Sequence, residues 1–116
     1  MVKTSIILDF GSFELQADLF DHPIAHALLP LLPVSIPLTR WGGELYGPLP
    51  EDLGRHDPVP EIPPGGIAYS QTGSYLCVFF GQTPAWAVDY IGCIPGKHWQ
   101  QLLTCDHVKH LTIKQR

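Results

Sequence analysis

Tyr75-Leu76-Cys77-Val78-Phe79-Phe80 is apolar on both faces that a strand would present. Successive strand residues point to opposite sides, so both sides of this one must be covered. It reads as a central strand, of a barrel or of a sheet under a helix. The flanking segments agree with that reading. Ile67–Gln71 is a second strand, joined to Ser74–Phe80 by a tight hairpin at Thr72-Gly73. Gln82-Thr83-Pro84 breaks the run, Val88–Ile94 is the next strand, and Pro95-Gly96 ends it.

Farther out, Thr4–Phe10 is apolar and β-branched, and Phe13, Leu15, Ala17 and Leu19 alternate with Glu14, Gln16 and Asp18. That alternation is the mark of a half-buried strand. Gly11-Ser12 between them suits a two-residue hairpin turn. Asp21 then reads as the cap of a short helix with Pro23 in its first turn and a stripe at Ile24, Leu28 and Leu31; Pro30 ends it near Leu29. Val34–Trp41 is a strand in which Pro37 marks an edge or a bulge. Gly42-Gly43 turns the chain into Glu44-Leu45-Tyr46, His98–Leu103 allows one helical turn, and His107–Ile113 alternates as a last strand. Seven or eight short strands and two short helices make a small β-barrel with helical plugs, one domain over residues 1–116. Between Gly47 and Gly66 lies a long connection with six prolines, Pro48, Pro50, Pro58, Pro60, Pro63 and Pro64. A connection of that length in a small domain is functional or flexible, and this proline-rich stretch (48–66) reads as an ordered surface flap.

Composition narrows the classes of function. Of 116 residues, 45% are hydrophobic and 16% charged, which rules out global disorder. The net charge of −4 speaks against non-specific nucleic-acid binding. Asp9 interrupts the N-terminal apolar run too early for a secretory signal, and no stretch approaches the ~18 apolar residues of a membrane span. Three cysteines without CxxC spacing suggest reduced thiols, so the expected location is cytoplasmic.

Catalytic motifs are absent. His22 and His26 stand four apart, but no glutamate follows the first as in HExxH, and they read as a solvated helix face. Cys105-Asp106-His107-Val108-Lys109-His110 is dense in ligand types, yet a strand would put only Cys105 and His107 on one face. Ser70 and Ser74 have no GxSxG around them, and no glycine-rich phosphate loop exists. No metal or cofactor is expected. Arg40-Trp41-Gly42-Gly43-Glu44-Leu45-Tyr46 differs from the rest of the chain. It gathers a guanidinium, an indole, a carboxylate and a phenol around a glycine turn, groups able to hold a carbonyl or an apolar ring.

Five segments, in order, resemble small bacterial and archaeal proteins of cyclophilin-like fold, a family largely uncharacterised in function. They are Asp21-His22-Pro23 with Ala25, Ala27 and Leu28; Arg40-Trp41-Gly42 through Glu44-Leu45-Tyr46; Gly65-Gly66-Ile67-Ala68-Tyr69; Leu76-Cys77-Val78-Phe79-Phe80-Gly81-Gln82-Thr83-Pro84; and Ile91-Gly92. The resemblance implies a mostly β, closed, roughly eight-stranded barrel with one or two short helices. True cyclophilins are prolyl isomerases with an arginine beside an aromatic proline pocket and a Phe-Met-x-Gln run shortly after it. Here Arg40 is followed by Trp-Gly-Gly-Glu-Leu-Tyr, so no isomerase site is carried over. The expectation is a barrel binding a small molecule or a proline-containing peptide at Arg40, Trp41, Glu44 and Tyr46, with Tyr69 and Phe80, and with Arg40 as the anchor. A prolyl isomerase and a self-association module, forming a homo-oligomer through surplus apolar surface, are the alternatives.

Overall fold

A computed structural model describes residues 3–105 and 107–116. Its strands are β1 (Thr4–Asp9), β2 (Glu14–Leu19), β3 (Val34–Pro37), β4 (Thr39–Trp41), β5 (Glu44–Pro48), β6 (Gly66–Ser70), β7 (Tyr75–Phe79), β8 (Asp89–Cys93) and β9 (His110–Gln115). They form one antiparallel sheet in the order β3-β9-β1-β2-β8-β6-β7-β5-β4.

The two ends of that order are consecutive in the chain. β3 pairs with β9, β4 pairs with β5, and only Leu38 lies between them. The Leu38 N–H still donates to the Lys109 carbonyl, at 2.7 Å. One bent segment thus leaves one edge of the sheet and joins the other, closing it into a barrel of eight staves. Pro37, which cannot donate to a ladder, stands just before the changeover, as the sequence suggested for an edge or bulge. At this seam the Pro37 carbonyl occupies the space that a Cβ on Gly47 would take.

The interior is filled by Leu45, Ile67, Leu76, Val78 and Phe80 from one side and Leu8, Leu19, Ile91, Leu111 and Ile113 from the other. β7 is central and covered on both faces. Its outward Cys77 and Phe79 join Ala68, Val88 and Ile62 in a second buried cluster outside the barrel. The cover is no helix; Ile62 belongs to the proline-rich connection, residues 49–65, an ordered flap that packs Ile62 and Val59 on the outer face and ties its 53–57 stretch to Tyr69 and Asp89 on the interior side.

Helix α1 (Pro23–Leu28) runs into a 3₁₀ turn at Leu29–Leu31 and buries Ile24, Ala25 and Leu28. Its cap is His22, not Asp21. Pro23 has no N–H, so the first donor in need of a partner is that of Ile24, and it reaches the His22 Nδ1 at 3.1 Å. Asp21 is exposed and pairs with His26 at 2.7 Å. Three boundaries also shift. Ser70 pairs with Tyr75, leaving four residues in the β6–β7 connection, where Gly73 (φ 81°) and Ser74 (φ 56°) take left-handed conformations. The helical turn is 3₁₀ over His98–Thr104, and β9 begins at His110 rather than His107.

Candidate functional site

Pleating decides which residues of the Arg40–Tyr46 stretch can act together. On β5, Leu45 faces the interior, so Glu44 and Tyr46 face outward. The β4–β5 register places Trp41 opposite Glu44 and Arg40 opposite Leu45. Trp41 therefore shares the outer face with Glu44. From β7, Phe79 stands opposite Glu44 and Cys77 opposite Tyr46. The connection 81–88 folds back over this surface, tied by Gly43 N–H to Gln82 Oε1 at 2.9 Å and by Trp86 Nε1–H to Ser70 Oγ at 2.8 Å. Between them lies a groove of about 310 Å³, with Glu44, Cys77, Phe79 and Val88 beneath and Trp41, Trp86, Tyr46 and Tyr75 around it. The two tyrosine rings meet edge to face, 5.0 Å apart. Trp41 and Trp86 remain 47% and 51% exposed.

Among the described residues Glu44 is the sole charged group in the groove wall. It is 7% exposed. Burial raises its carboxyl above the ordinary carboxylate range, and a hydrogen bond with the Cys77 thiol opposes that only in part. Burial, with Glu44 beside it, pushes the Cys77 thiol far upward. That thiol stays protonated and is no nucleophile at neutral pH.

The six expected residues do not gather at one place. Trp41, Glu44 and Tyr46 line the groove; Arg40, Tyr69 and Phe80 lie elsewhere. The Arg40 guanidinium sits over the Phe80 ring, 5.0 Å from its centroid, and donates to the carbonyls of Leu102 at 3.2 Å and Cys105 at 3.5 Å. It fastens the 98–104 turn to the barrel. Phe80 is fully buried, and so is Tyr69, whose hydroxyl accepts from Leu53 N–H and bonds Ser74 Oγ, both at 2.9 Å. The sequence reading missed Tyr75, Cys77, Phe79 and Trp86. Of these only Trp86, a tryptophan within a Pro-containing break between strands, carried a usable signal.

The other histidine and cysteine candidates disperse. His26 is solvent-facing on α1, while His22 turns inward, its Nε2 3.5 Å from Asp89 Oδ1. Asp89, 1% exposed, also accepts the backbone N–H groups of Asp57 at 2.8 Å and His56 at 3.2 Å. Desolvation lowers the His22 pKa, offset in part by Asp89. Cys105 is buried and His107 exposed, and Asp106 lies outside the described residues. Among the described residues no three His, Cys, Asp or Glu side chains converge as metal ligands.

The family model described as cyclophilin-like matches residues 4–114, nearly the whole chain. The chain belongs to the cyclophilin-like family. The solution structure of a hypothetical protein from Archaeoglobus fulgidus shares this cyclophilin-like barrel, with a TM-score of 0.81 over 99% of this chain and 96% of that one. At 22% identity the likeness is one of fold alone. No curated protein matches significantly. Among the described residues of this cyclophilin-like chain, no helix is long and apolar enough to cross a membrane.

Proposed function

We propose that this cyclophilin-like barrel binds a small molecule in the outer-face groove beneath Trp41 and Trp86. A single observation carries the reading: a buried carboxyl, Glu44, faces an aromatic groove in whose wall no described residue is basic. Burying an ionisable group without an ionic partner is unfavourable, and a ligand that supplies the partner gives the residue a purpose. The groove is also largely preformed, since Gln82 and Trp86 pin the 81–88 connection to β5 and β6. A preformed site loses little ordering entropy when it fills. The three unpaired cysteines fit a reducing compartment, in keeping with a cytoplasmic protein.

A thermal-shift screen of metabolites and proline-containing peptides tests this, with Trp86→Ala and Glu44→Gln beside the parent chain. A ligand at a hundred times its Kd adds about 2.7 kcal/mol of stability. The expected hit is a small molecule lost in Trp86→Ala and kept in Arg40→Ala, whose guanidinium is turned away from the groove. A hit lost only in Arg40→Ala would move the site to the barrel end near Leu102.

Self-association has one observation in its favour, the two exposed indoles on a single face. Sedimentation across a concentration range separates it from small-molecule binding, because a dimer through this face would hide both tryptophans. Prolyl isomerisation has less support. Its family chemistry would need an arginine presented to the substrate, and Arg40 is engaged with two main-chain carbonyls.

A further inference from the structure

We infer that the groove takes a small organic cation, an alkylated ammonium whose charge meets Glu44 and whose alkyl groups lie against Trp41, Trp86 and the Tyr46–Tyr75 pair. The inference rests on the groove being the binding site, as proposed above, and names the class of ligand. Three features of the wall select it.

The first is charge. Among the described residues Glu44 is the only formal charge in the wall, and no lysine, arginine or histidine lines it. An anion would meet repulsion without any compensating donor cluster. A neutral ligand would leave the carboxyl without an ionic partner. A cation alone supplies what the buried carboxylate lacks.

The second is the kind of surface around that charge. Four of the surrounding rings are tryptophan or tyrosine, whose faces carry negative electrostatic potential and attract a cation within about 6 Å of the centroid. Alkylated ammonium ions are weakly hydrated and cannot donate many hydrogen bonds, so aromatic faces suit them better than polar walls do. The groove offers few polar groups beyond Glu44. Ser70 Oγ is occupied by the Trp86 indole N–H, and the Cys77 thiol lies against the Tyr75 carbonyl at 3.8 Å.

The third is size. About 310 Å³ is at the small end of ligand pockets, enough for a compact cation and too small for a folded peptide segment.

The same geometry fixes a proton balance. The titratable groups facing Glu44 are the Tyr46 phenol on its own strand and the Cys77 thiol and Tyr75 phenol on β7; Trp41 on β4 and the 81–88 connection bring none. Burial favours the protonated carboxyl in the empty groove. A cation entering favours the carboxylate, so binding releases the Glu44 proton to solvent wherever Glu44 is still protonated, and affinity rises with pH through that range.

Choline and its uncharged isostere 3,3-dimethyl-1-butanol are the probes, titrated into the full chain by calorimetry and by tryptophan fluorescence. The expected result is choline binding at least about tenfold tighter than the alcohol. It should be lost in Glu44→Gln and Trp86→Ala, and its enthalpy below neutral pH should depend on the buffer's ionisation heat. Equal binding of both probes, lost in Trp86→Ala, would overturn the cation and leave the groove reading standing. Failure of both probes, beside a screened neutral molecule that is lost in Trp86→Ala, would do the same. Failure of both with no Trp86-dependent ligand of any kind would remove the groove reading too. Choline binding retained in a folded Glu44→Gln, with no buffer dependence, would also overturn the assignment of Glu44 as the counter-charge.

Discussion

The barrel holds two buried acids, Asp89 and Glu44, and they are built differently. Asp89, under the flap, accepts two main-chain N–H groups from Asp57 and His56 and lies beside the His22 imidazole. Glu44, on β5 with β6 and β7 between, has a thiol for company and an open groove above it. The flap stops short of the second acid. Where the polar group is fully satisfied the surface is closed, and where it is not the surface is open. Satisfied buried carboxyls hold structure together, whereas a buried carboxyl with few partners costs stability.

The largest effect is expected from removing the satisfied acid. Asp89→Ala leaves the two flap N–H groups buried without an acceptor and frees the 56–57 segment from β8. A loss of about 3 kcal/mol or more follows, since hydrogen bonds to charged groups contribute about 1.5–3 kcal/mol each. Urea denaturation reads the loss, and limited proteolysis should begin to cut within 49–65. A change below about 1 kcal/mol, with the flap still protected, would erase the distinction between the two acids, because other ties would then suffice. Those ties are the paired Val59–Val88 main-chain bonds, the Leu53–Tyr69 contact and the burial of Ile62.

The opposite sign is expected at Glu44. Its folded pKa is raised above the unfolded value, so its protonated form stabilises the fold below about pH 4.5, and that contribution is lost as pH rises through the folded pKa. At neutral pH the parent chain carries the cost of a buried carboxylate. Glu44→Gln keeps the shape without that charge, and its stability should exceed the parent's by on the order of 1 kcal/mol at pH 7 while matching it near pH 4. Thermal melts at the two pH values decide it. A variant less stable than the parent at pH 7 would make Glu44 a second structural acid.

How much of this was legible beforehand follows from what a sequence can encode locally. The two-sided apolarity of 75–80 announced a central strand, and β7 is one, because that pattern is set by the strand itself. Its cover was less legible, since Ile62 sits in an aperiodic, proline-rich connection. The closure at Leu38 was not legible, since it depends on pairing with β9 and β5, both distant in sequence. The expected cluster divides for a simpler reason. Arg40 and Trp41 are neighbours in the chain, and pleating sends neighbours to opposite faces; the β4–β5 register, absent from the sequence, is what assigns Trp41 to Glu44 and Arg40 to the interior side. Tyr69 and Phe80 are aromatic, and aromatics serve cores more often than sites. Asp21 looked the better cap than His22 because caps are read from residue type, whereas Pro23 moves the first free donor to Ile24.

The smallest effects separate two histidines on one short helix and extend the same comparison to the flap's edge. His22 caps α1 through Nδ1, so its neutral ring carries the proton on Nε2, turned toward Asp89. Its folded pKa is depressed, chiefly by desolvation. The unfolded chain therefore binds the proton more readily, and stability is full above about pH 6.5 and falls as the medium is acidified toward the folded pKa. His22→Ala removes both cap and titration, costing about 1 kcal/mol at pH 7.5 and flattening the stability profile just below pH 6.5. His26, exposed and paired with exposed Asp21, should change stability by at most about 0.5 kcal/mol when replaced by alanine. Melting temperatures of both variants from pH 5 to 8 test the pair. Equal, pH-independent losses would mean that α1 responds to helix content alone. A slope that disappears only with His22 would tie the flap-covered surface at Asp89 to the protonation of one half-buried imidazole.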